Sequence, residues 1–167
     1  RRHTESQVIS GDGTGENFEG ILTATGIGSQ ALGVDTSPDA VHKAITLVRI
    51  ALEDDITAVV MHPTDYQSFV LTQDSTGNYV TGNGPQTATP RQIWGYDCIT
   101  STAISQGTAL FGNFEMGATL WVRSGVEVTQ SNSHSTDFTE GKVTILAEYR
   151  AAFAVNQPKA FAEVTGL

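Results

Sequence analysis

Cysteine is nearly absent: the 167 residues hold a single one, Cys98, so no internal disulfide framework exists and a buried core must hold the fold. A chain this long can build that core without staples. Cys98 sits in the apolar run from Ile93 to Thr102 with no histidine or asparagine partner pattern around it. It reads as a buried, inert thiol, and the scarcity of cysteine fits a reducing compartment. Positive charge is scarce too. Nine Lys and Arg stand against eighteen Asp and Glu, a formal charge of −9, which disfavours wrapping the phosphates of a nucleic acid. No apolar run reaches the roughly 20 residues of a bilayer span, and no signal-peptide pattern opens the chain. A soluble protein is expected, with no membrane partner and no sequence-specific nucleic-acid partner. The first residue is Arg1, not Met, so a processed or trimmed product is expected.

Catalytic and ligating patterns are missing as well. The four histidines, His3, His42, His62 and His134, show neither H-x-x-x-H nor H-E-x-x-H spacing, and no G-x-S-x-G elbow or calcium loop occurs. The glycines of GDGTG, Gly11 to Gly15, lack the Lys-Ser/Thr of a phosphate loop and the helix that a dinucleotide fingerprint needs; they read as a turn. Asp35-Thr36-Ser37 approximates the aspartic-protease triplet, but its third residue is not glycine and no second copy exists, so a helix-capping loop explains it. Asp54 and Asp55 could pair as carboxylates, yet two acids closing a helix are expected simply to be solvated. No metal, cofactor or catalytic residue is expected.

What is present is β signal, densest from Thr108 to Val155. Val143, Ile145, Ala147 and Tyr149 alternate with Thr144, Leu146, Glu148 and Arg150, a period of two that predicts a strand. Leu120, Val122, Val126 and Val128 repeat the pattern on either side of Ser124-Gly125, a pair able to turn or kink the backbone. With the run from Thr108 to Phe114, the C-terminal third reads as a small, mostly antiparallel sheet with one half-wet face.

Upstream, Arg1 to Ser10 reads as the tail of a helix, and Ile21 to Leu32 as extended or looping. Ser37 as cap, Pro38 and Asp39 announce an amphipathic helix. Its apolar face is Val41, Ala44, Ile45, Val48, Ala51 and Leu52. Thr57 to Met61 predicts a buried strand, and His62-Pro63 starts a second helix through about Leu71. Asp74 to Asn78 reads as a turn. The loop from Thr81 to Arg91 has two glycines, two prolines and little apolar mass, so it is expected to be exposed. Trp94 to Ile99 resumes strand, with Trp94 and Trp121 as core or interface residues. Pro158 closes the last run.

A series of short motifs then carries a resemblance. In order they are GDGTGENFEG from Gly11 to Gly20, MHPTDY from Met61 to Tyr66, TQDSTGNY from Thr72 to Tyr79, and GPQ from Gly84 to Gln86. IWGYD from Ile93 to Asp97, FGNFE from Phe111 to Glu115, VTIL from Val143 to Leu146, EYR from Glu148 to Arg150 and PKAF from Pro158 to Phe161 complete it. Together they resemble the Hong Kong 97-type major capsid proteins of tailed bacteriophages, from about Gly11 to Leu167.

The resemblance implies an α+β capsid fold, with an axial α/β lobe over residues 16–118 and 151–167. Part of a peripheral lobe with long antiparallel strands follows over 1–15 and 119–150. The family's N-terminal arm, extended loop and most of its spine helix would precede Arg1. It implies a structural protein, not an enzyme, that assembles with itself into pentamers and hexamers and an icosahedral shell enclosing DNA. Portal, scaffold and maturation protease are implied partners, and the virion capsid, preceded by the host cytoplasm during assembly, is the implied location. The loop holding Gly84, Pro85, Gln86 and Thr87 would meet its copies at the symmetry axis. Members that cross-link covalently place an acceptor asparagine before the strand matching Val143 to Arg150; Gly141 stands there, so no such link is expected. An encapsulin-like nanocompartment shell is the alternative, and a small hydrolase a more distant one.

Overall fold

The computed structural model describes residues 2–73, 76–77 and 91–167. Its helices are α1 (Arg2–Ser10), α2 (Ser37–Leu52), α3 (Pro63–Val70), α4 (Phe114–Gly117) and α5 (Asp137–Glu140). Its strands are β1 (Gly28–Ala31), β2 (Ala58–Met61), β3 (Gln92–Ile93), β4 (Tyr96–Thr100), β5 (Thr108–Gly112), β6 (Ala118–Ser131), β7 (Thr144–Val155) and β8 (Phe161–Thr165). They fall into two compact units: Arg1–Thr119 with Ala154–Leu167, and Leu120–Phe153.

The first unit is built on a six-stranded mixed sheet in the order β1-β8-β5-β2-β4-β3. β1 runs parallel to β8 and β2 parallel to β4, while the β8–β5, β5–β2 and β4–β3 pairs are antiparallel. Ala40, Val41, Ala44, Ile45 and Val48 of α2 are buried in one cluster with Val59, Met61, Phe111, Ala162 and Val164, as the helical spacing of the apolar residues requires. Two details of α2 differ from expectation. The cap is Thr36 rather than Ser37, and its hydroxyl donates to Asp39 Oδ2 at 2.7 Å. Ala51 is exposed and Leu52 only half-buried, in the last turn of a helix that Glu53 ends with a left-handed φ of 57°.

The expected C-terminal sheet does not exist as one body. β5 leaves it to become a central strand between β8 and β2, with Ala109, Leu110 and Phe111 fully buried. β8 has no counterpart in the sequence reading: the chain does not close at Pro158 but makes a 3-10 turn, Pro158–Ala160, and re-enters the sheet. The segment FAEVT escapes notice because five residues with a central Glu carry too short a period to score. Trp94 is likewise not in a strand. With Gly95 it forms the two-residue turn between β3 and β4, both at positive φ (52° and 86°), the geometry that matches strand twist in a tight hairpin.

The glycine cluster is a structural turn, as expected. Gly13 N donates to Phe18 O and Gly20 N to Gly11 O, each at 2.9 Å. A Cβ on Gly11 would lie 2.3 Å from Phe18 O, so only glycine allows the strands of the loop to approach. Residues 1–15, grouped with the long strands by sequence, pack within the sheet unit: Ile9 is buried and Glu5 Oε1 accepts from Ser101 Oγ at 2.8 Å.

The second unit is the paired ribbon of β6 and β7. β6 runs 14 residues through Ser124-Gly125, and Gly125 adopts no positive φ, so the pair able to turn the chain does not turn it. Neither is one face dry. No residue from Leu120 to Phe153 is buried.

Candidate assembly surfaces

The best-defined side-chain constellation lies where α2 meets the β3–β4 hairpin. Glu53 reverses the chain after α2, its N–H donating to Arg49 O at 2.9 Å, and this brings Asp55 back beside Arg49. The guanidinium grips the carboxylate with two bonds, Nε to Oδ1 at 2.9 Å and Nη2 to Oδ2 at 3.0 Å, the fork geometry that makes Arg–carboxylate pairs directional. Tyr96 completes it. Its hydroxyl donates to Asp55 Oδ1 at 2.7 Å and accepts from Arg49 Nη2, and its ring lies 5.7 Å from Arg49 Cζ. Arg49, then Tyr96, hold the Asp55 carboxyl far below the usual carboxylate range. Burial, then Asp55, pushes the Tyr96 phenol up. Asp55 is therefore not the freely solvated acid read from the sequence, and Asp54 only accepts from the Asp55 amide at 2.8 Å.

Two turns back along the same helix, His42 meets Trp94 edge to face, with ring centroids 5.0 Å apart and planes at 71°. Trp94 remains 56% exposed. It is a surface residue rather than a core one, as is Trp121 on β6. Arg91 fastens the root of the hairpin: its carbonyl accepts from Cys98 N at 2.7 Å and its Nη1 donates to Thr100 Oγ1 at 2.9 Å.

The other residues singled out in the sequence are scattered. Cys98 is buried as expected, and burial pushes its thiol up to about 11. Asp35 pairs with Lys43 at 2.6 Å in the loop before α2. His62 caps α3, its Nδ1 accepting from Thr64 N at 3.2 Å. His134 lies exposed between β6 and α5. No group of three or more His, Cys, Asp or Glu that could hold a metal occurs among the described residues. Gly84, Pro85, Gln86 and Thr87 lie outside the described residues. A cleft of about 220 Å³ is lined by Ile27, Leu47, Val48, Ala51 and Phe161, with Lys159 as its one charged residue. One amine over an apolar floor supplies no acid–base pair.

The remaining feature is uncovered apolar surface. Val122, Val126 and Val128 on β6, Ile145 and Leu146 on β7, and Phe138 on α5 are all exposed. An isolated two-stranded ribbon is marginal in water, and with both of its faces carrying exposed apolar side chains it has surface to offer another body.

Comparison with known proteins supplies the context. The profile of the phage capsid family matches residues 1–166. This chain belongs to the phage capsid family. Within it, the chain is 34% identical over 164 residues to the major capsid protein of Enterobacteria phage HK97, covering 96% of this chain and 42% of that protein. It thus spans less than half the length of that relative. Among solved structures it is similar to the capsid of an empty GTA particle computed with C5 symmetry (TM-score 0.82, 20% identity, 98% of this chain and 61% of that one). It is also similar to Gordonia phage Cozz (TM-score 0.76, 17% identity, 98% and 58%). A likeness to the holo-SrpI encapsulin complex of Synechococcus elongatus PCC 7942 is weaker in fold (TM-score 0.64, 17% identity, 99% and 61%). The α+β Hong Kong 97-type capsid fold read from the short motifs is borne out, and the chain is part of a structural capsid protein.

Proposed function

We propose that the intact protein associates with its own copies into rings of five and six, and that these rings build an icosahedral shell around DNA. The observation that carries this reading is the family match over residues 1–166. The uncovered ribbon supports it, since its apolar side chains need cover from outside the described residues. Residues 16–118 and 151–167 serve as the axial lobe, and 119–150 as the peripheral lobe, joined on the sequence reading by 1–15. A charge of −9 suits a wall that encloses nucleic acid without gripping it. Portal, scaffold and maturation protease are its working partners. The host cytoplasm is its place of assembly, and the virion its destination. Electron microscopy of the full-length protein is the test: closed shells or five- and six-membered rings are expected, and a protein that stays monomeric at assembly concentrations overturns the reading. Purified particles should hold DNA; particles filled with a cargo protein would favour a nanocompartment instead.

The contact at the ring axis is assigned to the loop with Gly84, Pro85, Gln86 and Thr87, whose composition gives it little apolar mass of its own. Closed rings repeat one contact around the axis, so a charge placed there is multiplied by the symmetry. Gln86→Glu with Thr87→Glu should leave the monomer folded yet lower the ring population in sizing experiments, with partial recovery at high salt. A ring population equal to that of the wild type at both low and high salt removes the loop from the axis.

A further inference from the structure

We infer that the outer face of α2 is a positioning clamp for the β3–β4 hairpin, and that Arg49, Asp55 and Tyr96 act on assembly by fixing where the chain enters the sheet at Arg91. This rests on the ring-forming reading above. The sheet holds the hairpin from one side: β4 pairs with β2 and Ile93 is buried, but β3 is two residues long, lies at the edge of the sheet, and pairs only through Gln92↔Asp97 and Ile93↔Tyr96, so sheet pairing leaves the turn itself ungripped. It also carries backbone strain, because Trp94 is a bulky residue at a φ of 52°, where only glycine, asparagine and aspartate sit easily.

Strain of this kind persists where surrounding contacts over-determine the position, and α2 supplies those contacts. His42 and Arg49, seven residues and two turns apart, share one helical face. They hold Trp94 and Tyr96, alternate residues of the hairpin, by an edge-to-face ring contact and by the Asp55 fork. Two separated grips fix both position and orientation, which one could not. Core residues provide the stability of the unit; the clamp is exposed and adds little to it, so its role is geometric.

The test uses the full-length protein with Arg49→Gln, Tyr96→Phe and Arg49→Lys, the last keeping the charge but not the fork. Two readouts are taken: amide exchange at Cys98, whose N–H bonds Arg91 O at the hairpin root, and the ring population by sizing. The expected result is several-fold faster exchange at Cys98 in all three variants, unchanged exchange at Val59 and Phe111, a near-native melting temperature, and fewer rings. Rescue by Arg49→Lys, unchanged exchange at Cys98, or wild-type ring populations despite faster exchange each overturn the proposal. So does a large fall in melting temperature, which would make the clamp a folding element. If the wild-type protein itself forms no rings, the ring-forming reading fails, and the exchange data still decide whether the clamp holds the hairpin.

Discussion

Single side chains decide how much of this molecule tolerates change. Ile45 is 1% exposed within the main core, so Ile45→Ala should cost about 2–5 kcal/mol in a denaturant melt, whereas the half-buried Leu52 should lose clearly less. Gly117 is a different case. A Cβ there would lie 2.4 Å from Phe161 Cε2 and 3.0 Å from Ala160 Cβ. The Phe161 ring, fully buried and set edge to face against Phe114, would have to shift to make room. Gly117→Ala should therefore destabilise by about 1–3 kcal/mol, read from the shift in urea midpoint. Cys98 was legible from its apolar run, and its burial predicts a kinetic signature. A thiol raised to about 11 favours folding in full below the ordinary thiol value and loses that contribution as pH rises from there through about 11. Native protein at pH 8 should thus react with a disulfide reagent only as fast as it unfolds. Asp55 shifts the other way. Its contribution is complete above about pH 4, the ordinary carboxylate value, and is lost as pH falls toward its depressed native value. Asp55→Asn should flatten the acid limb of stability against pH only slightly, because the fork it shares with Arg49, which Asp54 lacks, is exposed and adds little. No sequence pattern announced that difference, since the two acids are neighbours and only the left-handed turn at Glu53 sends one of them to Arg49.

At the scale of elements, legibility followed periodicity. α2, α3, β6 and β7 carry enough repeats of 3.6 or 2.0 to be read directly, and β2 shows as a short continuous apolar run. The short strands β3 and β8 carry no such signal, and the sheet to which β5 belongs is hidden because alternation reports a strand but not its neighbours. The Trp94-Gly95 turn hid for another reason: tryptophan is a poor indicator of positive φ. This makes it testable. Trp94→Asn gains a residue suited to the turn but loses the His42 contact, so in an otherwise native chain the two effects should nearly cancel. In a His42→Ala background the contact is already gone, and Trp94→Asn should raise the melting temperature; a fall there would show that the turn is not strained. The ribbon of β6 and β7 reads cleanly as strands yet lacks any buried residue between Leu120 and Phe153. Its amides should exchange far faster than those of β2 or β5 in this segment of chain studied alone, and gain protection in assembled particles.

For the whole molecule, the absence of an acceptor asparagine can be checked on assembled particles. Gly141 occupies the left-handed position closing α5, with φ 64°, and offers no side-chain amide. Particles boiled in detergent should run as monomer, and a ladder of covalent multimers would refute this. The capsid fold itself was readable because the family motifs are turns and caps, GDGTG, His62-Pro63 and Asn113, which local backbone geometry fixes; the order of strands was not, because it depends on pairings between distant parts of the chain. That order has one more effect. β8 stands between β1 and β5, and Ser29 reaches Glu163 across 134 positions of sequence, so β1 has no neighbour in the sheet until Phe161–Thr165 has been made. A chain that stopped short of Phe161 would lack β8, and with it the link between β1 and the rest of the sheet. On the shell-forming proposal, such a chain would be barred from the wall by its own failure to fold.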